Sequence, residues 1–149
     1  MAQTYIGSTL RTGSDTLTDS TDGGFVVVSQ TTTVTTAGAG TATSATIRIP
    51  ASSQIIDFYV DMVTDEVVGG GTATAIPVTI GTAAAGTQYL SATDVFAGGR
   101  AALTFTAAQL TAMSNVGTNQ SVVITADPDG TIVTTQAVIR LTVVYAQKV

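Results

Sequence analysis

Hydrophobic and polar residues alternate with a period of two along most of the chain, which is the pattern of β-strands that bury one face. The clearest run extends from Gln54 to Thr64. Its predicted buried face consists of alternate apolar residues, Ile56, Phe58, Val60 and Met62. Its predicted polar face carries Asp57, Tyr59 and Asp61. The alternation therefore predicts a half-buried strand of an antiparallel sheet.

Other runs of apolar and β-branched residues predict strands over Phe25 to Thr36, Ala45 to Ile49, Ile76 to Ile80 and Ser121 to Ala126. The pattern is weaker over Gly86 to Phe96, where Tyr89 and Leu90 are the expected core pair, and over Ala101 to Phe105, a short strand. Residues Thr131 to Gln147 predict a long closing strand or a strand with a kink near Thr134 and Thr135. Pro77 favours an edge position or a bulge for its strand, because proline has no N–H to donate to a central ladder. The last run buries Ala137, Ile139, Leu141, Val143 and Tyr145 and turns Arg140 to the opposite face.

One short helix is predicted over Thr106 to Ser114, with Thr106 as its N-cap and an apolar face containing Leu110 and Met113. About eight short strands and a single helix predict an all-β fold, an antiparallel β-sandwich or barrel. Residues 25–149 are expected to form this domain. Residues 1–24, which are polar and lack periodicity, are expected to form an N-terminal arm or extension.

Composition changes the functional expectation, because the 149 residues contain no histidine, cysteine or tryptophan, one lysine (Lys148) and one glutamate (Glu66). Acid, base and nucleophilic catalysis draw mostly on the side chains that are missing. We therefore expect a structural or adhesive protein with no cofactor, rather than an enzyme. The segment from Met1 to Arg11 has neither a basic start nor an apolar centre, so a cytoplasmic origin is expected.

Charge is scarce: only 10% of the residues are charged, and the net charge is -5. Five scattered basic residues do not form the cluster that binds phosphate backbones, so nucleic acid is not an expected partner. No stretch approaches the roughly 18 apolar residues of a membrane span. Low charge with high apolar content instead suggests that other subunits cover part of the surface, the alternative being a threonine-coated monomer.

Two groups of acidic residues are candidates for chemistry. Asp127 to Gly130 fits either a tight hairpin turn or, with weaker support, a calcium loop. Asp57 and Asp61 are separated along the strand by about 13 Å, too far for a glycosidase pair. If the chain assembles, its contact residues are expected to be Asp57, Tyr59, Asp61 and Arg140. The glycine clusters at 69–71 and 98–99 are expected to be flexible loop tips.

Three segments carry a family resemblance: Ile47 to Asp61, Val78 to Ala83 and Val138 to Tyr145. A proline turn joins two strands in the first, Ile-Gly-Thr ends a strand in the second, and Val-x-Tyr closes the third. With these features the chain from about residue 25 to 149 resembles small jelly-roll decoration, or cement, proteins of tailed bacteriophage heads. The resemblance implies a jelly-roll sandwich that binds the outer surface of the major capsid protein lattice as a homotrimer, in the virion, after synthesis in the host cytoplasm.

A second hypothesis remains open at this point: a tail-fibre or tail-tip domain that recognises host surface glycans. It requires an exposed aromatic platform or a calcium-assisted groove. Only Tyr59 and the turn beginning at Asp127 are candidates for these features.

Overall fold

The structure is a computed structural model that describes residues 9–12, 15–18 and 25–148. The described residues contain nine strands and one helix. The strands are β1 (Thr9–Thr12), β2 (Asp15–Thr18), β3 (Phe25–Thr35), β4 (Thr43–Arg48), β5 (Gln54–Thr64), β6 (Pro77–Gly81), β7 (Leu90–Asp94), β8 (Ser121–Ala126) and β9 (Val138–Lys148). The helix is α1 (Ala107–Ser114). Within this described part, no helix is long and apolar enough to cross a membrane.

The strands from β3 onward form two antiparallel sheets, one of order β3-β9-β5 and one of order β4-β8-β6-β7. β3 pairs with β9, and β4 pairs with β8, so the pairing is nested. Such nesting rolls an antiparallel ribbon into a jelly-roll sandwich. The predicted all-β sandwich of jelly-roll type, with one short helix, is confirmed.

The position of an eighth sandwich strand, beside β5, is occupied by a short extended segment around Arg100. Met62 donates its N–H to the carbonyl of Gly99, and Ala101 donates to the carbonyl of Val60. The strand predicted over Ala101 to Phe105 is therefore wrong, because pairing is limited to one bridge between Arg100 and Asp61.

The inner faces of the two sheets supply the core. Fully buried aliphatic side chains come from both layers, including Val78, Ile80, Leu90, Val122, Ile124, Ile139, Leu141 and Val143. The inward residues predicted for the last strand are confirmed, although β9 begins only at Val138 and the residues just before it are irregular.

A β-bulge in β5 overturns part of the predicted alternation. The register with β9 shifts between Ile55 and Asp57, so Ile56 is the extra residue. Ile55 is 3% exposed and Ile56 is 49% exposed. The prediction for Ile56 is wrong, whereas Phe58, Val60 and Met62 are buried as expected.

Two further expectations are corrected. Pro77 begins β6, which lies between β8 and β7, so the predicted edge position is wrong. The alternative prediction of a bulge agrees with the register shift between Val78 and Ile80 in the pairing of β6 with β7. Thr106 is the N-cap of α1, as predicted, and it forms a capping box with Gln109. The buried residues of α1 are Gln109 and Met113, so only Met113 of the predicted apolar face is buried. Leu110 is exposed because the Gln109 amide points inward and donates to Thr87 and Ser91.

Glycines hold three loops together at one end of the sandwich. A Cβ on Gly130 would lie 2.6 Å from the Thr72 carbonyl carbon, and one on Gly40 would lie 2.5 Å from the Gly130 oxygen. A Cβ on Gly71 would meet the Thr131 oxygen in the same way. These backbones are in contact, so the glycines around residue 70 serve close packing. The expectation of free loop tips is wrong for this cluster, although Gly70 itself is open.

The predicted extension at residues 1–24 is described only where β1 and β2 form a two-stranded antiparallel sheet. The rest of that segment lies outside the described residues, and the domain boundary stays a prediction.

The bulge predicts opposite outcomes for two neighbouring isoleucines. Ile55→Ala removes a buried side chain and is expected to lower the free energy of unfolding by about 2–5 kcal/mol. Ile56→Ala removes an exposed one and is expected to change it by less than about 1 kcal/mol. Urea unfolding of both variants checks the bulge, and equal losses would contradict it.

Candidate protein-binding face

The outer face of the β3-β9-β5 sheet, called here the open face, carries the residues predicted to make contacts. Its residues point away from the core, and they are Val27, Ser29, Thr31 and Thr33 of β3, Asp57, Tyr59 and Asp61 of β5, and Arg140, Thr142 and Val144 of β9. Hydroxyl groups cross-link neighbouring strands on this face, with Thr31 Oγ1 3.1 Å from Thr142 Oγ1. The surface is thus rich in small polar groups on a continuous backbone ladder.

An ion cluster centred on Asp61 organises one end of the open face. Arg100 Nε donates to Asp61 Oδ1 at 2.7 Å, and its Nη2 donates to Oδ2 at 3.3 Å. Arg140 Nη2 donates to Asp61 Oδ2 at 3.2 Å from the directly opposite position on β9. Arg100 also lies over the ring of Tyr59, with 4.7 Å between its guanidinium carbon and the ring centroid. A cation at this distance from a ring face is attracted to it.

Burial within the cluster is uneven. The Asp61 side chain is 12% exposed, whereas those of Arg100 and Arg140 are 59% and 45% exposed. Two guanidinium groups cover the Asp61 carboxylate. The Arg100 hydrogen bonds, with help from Arg140, hold the Asp61 pKa below its usual value. Only part of the guanidinium N–H groups are used, so both arginines keep donors facing solvent.

The four predicted contact residues lie on this single face. Asp61 and Arg140 are paired, Tyr59 contacts the same cluster through Arg100, and Asp57 accepts from the Phe58 N–H beside the bulge. Their role in an interface stays a prediction. Arg100 was not predicted, because it lies 39 residues from Asp61 in a segment without strand periodicity.

The outer face of the other sheet is different, because a loop over residues 82–88 covers its centre. Ala85 donates its N–H to Thr125 Oγ1 at 2.8 Å, although Thr125 belongs to the outward side of β8. Gly81 permits the approach, since a Cβ there would lie 2.5 Å from the Gly86 carbonyl carbon. Val123 and Thr125 are consequently buried. The two outer faces of the sandwich therefore offer very different surfaces to a partner.

The turn at Asp127 to Gly130 is held by hydrogen bonds from a neighbouring loop. It links β8 to the segment before β9, which lie in different sheets, so the predicted hairpin is wrong. Asp129 accepts from the N–H and Oγ1 of Thr74 and from the N–H of Ala75, at 2.7, 2.6 and 3.0 Å. These bonds lower its pKa. Among the described residues there is no group of three His, Cys, Asp or Glu side chains placed to hold a metal ion.

Comparison with known proteins adds one structural relative. No family model matches the chain, and no curated protein matches it. A solved structure titled "Cyanophage Pam1 capsid asymmetric unit" contains a similar chain, with a TM-score of 0.52 and 19% sequence identity. The similarity covers 83% of this chain and 85% of that chain. At this identity it shows a shared fold over nearly the whole jelly roll.

The Asp61 cluster predicts an acid-sensitive contribution to stability. Because its folded pKa is depressed, the contribution is fully present above the unfolded pKa of about 3.9 and is lost as the pH falls through the lower folded value. Asp61→Asn is expected to lower the free energy of unfolding by about 1–2 kcal/mol at neutral pH, with exposed arginines limiting the effect. Chemical unfolding from pH 7 to pH 2.5 should show this difference shrinking below about pH 4. Asp127→Asn, which alters an exposed carboxylate outside the cluster, is the control, and a pH-independent difference for Asp61→Asn would contradict the prediction.

The Asp129 geometry predicts a structural role without calcium. Asp129→Ala is expected to lower the melting temperature, because three donors lose their acceptor, whereas Asp127→Ala should have little effect. Adding calcium or a chelator should leave the melting temperature of the natural protein unchanged. A calcium-dependent rise that Asp129→Ala abolishes would show that the turn binds the ion.

Proposed function

We propose that this protein is a structural component of a phage head, which decorates the outer surface of the major capsid protein lattice and stabilises it. The observation that carries the proposal is the jelly roll shared, over most of both chains, with a component of a cyanophage capsid. The resemblance of the three sequence segments to head decoration proteins supports the same role. The protein acts in the virion, after synthesis in the host cytoplasm, and has no catalytic function.

The open face is the proposed contact with the lattice. It is the outer face that no loop covers among the described residues, and it presents Tyr59, Arg100 and Arg140, residue types enriched at binding hot spots. Asp61 is already paired with two arginines, so docking over this cluster does not bury Asp61 as an unpaired carboxylate. The free guanidinium N–H groups suit carbonyl or carboxylate acceptors on the capsid protein.

The size of the open face indicates how stabilisation works. Three strands of 11 residues cover about 36 Å by 14 Å, or about 500 Å². A standard interface buries about 800 Å² on each partner, so one copy docked by this face alone binds weakly. Because the protein binds only the assembled lattice, each bound copy stabilises the lattice by its binding free energy, and the contributions of many copies add up. The homotrimer implied by the resemblance would strengthen each attachment through multivalency.

Heads that lack the protein provide the test. They are expected to release DNA at a lower temperature than complete heads, and added purified protein should restore the original temperature. Thr142→Lys places a long charged side chain at the centre of the open face and should abolish the rescue. Its matched control, Thr46→Lys, alters an exposed strand residue on the opposite sheet and should rescue fully.

Two results would overturn parts of this proposal. Unchanged DNA release from heads that lack the protein would remove the stabilising role. Equal rescue by both lysine variants would remove the open face from the contact and leave decoration to another surface.

A further inference from the structure

Strand β3 forms an unusually regular sheet edge. Its 11 residues pair one to one with β9, from Phe25 opposite Lys148 to Thr35 opposite Val138, without a register shift. In the described part of the chain, no strand pairs with its other side. β3 contains no charged residue and no proline. Within the described residues, its unpaired side is therefore a long and regular row of backbone groups on a strand without charged side chains.

The register identifies which backbone groups face this free side. Thr36 donates its N–H to the carbonyl of Ala137, which continues the β3–β9 ladder. Residues of an antiparallel strand alternate in the direction of their backbone bonds, so even-numbered residues bond β9 and odd-numbered residues point outward. Thr35 agrees with this assignment, because its carbonyl accepts from the Thr43 hydroxyl instead of from β9. The outward groups belong to Val27, Ser29, Thr31 and Thr33.

The other three edges of the two sheets are protected in recognised ways. The β5 edge is bulged and partly covered by the segment around Arg100. The β4 edge has six residues and ends in Arg48, and the β7 edge has five residues, an irregular register and Asp94. Natural proteins shorten, bulge, charge or cover edge strands to prevent pairing with other chains. β3 shows none of these protective features among the described residues, which favours pairing of its edge with a further strand.

We propose that the free edge of β3 pairs with β3 of a second copy, antiparallel across a two-fold axis. A two-fold contact joins the same patch of both copies, so the edge must be self-complementary. With the axis at Gln30, Val27 lies opposite Thr33 of the other copy, and Ser29 lies opposite Thr31. Both of these pairs join small or β-branched side chains, and no charged side chains meet because β3 has none.

This pairing would join two β3-β9-β5 sheets into one six-stranded sheet. The two open faces would lie side by side and double the continuous surface. The contact is compatible with the trimer implied by the resemblance, because a two-fold contact can link copies of different trimers. The inference goes beyond the proposed function and is tested on the isolated protein, so failure of either leaves the other standing.

The test combines molar mass with backbone hydrogen exchange. Light scattering on concentrated natural protein should give an even multiple of the 15.0 kDa chain mass. The amides of Ser29, Thr31 and Thr33 should exchange at least about tenfold more slowly than in an unpaired edge. Thr31→Pro removes one outward N–H without touching the β9 ladder, and should halve the mass and release these amides.

Thr46→Pro is the matched control. Ile49 donates to Gln120 in the β4–β8 ladder, so even-numbered β4 residues point outward, and this proline also removes an unpaired edge N–H. It should leave the mass unchanged. Slow exchange of even-numbered β3 amides in Thr31→Pro will show that the fold survives.

Three outcomes would overturn the proposal. One is a mass equal to an odd multiple of the chain mass, including a single chain or a trimer, at all concentrations with fast exchange at the odd-numbered amides. Another is slow exchange of those amides at single-chain mass, which would show that the chain's own residues cover the edge. The third is a mass that Thr31→Pro leaves unchanged.

Discussion

The pairing of β9 with both β3 and β5 is the interaction on which the rest of the structure depends. The two outer strands do not bond each other, so the three-stranded sheet exists only when the last strand lies between them. The contacts are distant in sequence: Gln30 donates to the Tyr145 hydroxyl across 115 residues. Closing such loops costs entropy before the contacts form, so this topology folds slowly and is stable only when complete.

The same strand determines the proposed contact surface. Because β9 alternates between two faces, burial of Ile139, Leu141 and Val143 in the core turns Arg140 and Thr142 outward onto the open face. The register then places Arg140 directly opposite Asp61. The same register of β9 therefore determines both the core and the candidate site. A slip of β9 by one residue would turn its core residues outward and its open-face residues inward.

Alternation was sufficient to locate most strands, because a half-buried strand shows its period in its own residues. It failed where an extra residue enters the ladder: Ile55 and Ile56 are chemically identical, and only the partner strand decides which one is buried. It also missed Arg100, since ion pairing with Asp61 depends on a contact that no local pattern contains. Periodicity placed Asp57, Tyr59 and Asp61 on one side of their strand and Arg140 on the outward side of the last strand, but only the pairing of β5 with β9 brings them onto one face.

The few acidic residues of this chain fix the positions of its loops by accepting hydrogen bonds. Asp129 fixes the Thr74 loop, Asp94 accepts from the N–H groups of Ile76 and Phe96, and Asp61 joins two arginines. These carboxylates act as acceptors that lock loops and edges. The hydroxyls left on the open face both donate and accept hydrogen bonds. A partner that docks against these hydroxyls can replace the hydrogen bonds that they make to water, which is what the proposed contact requires.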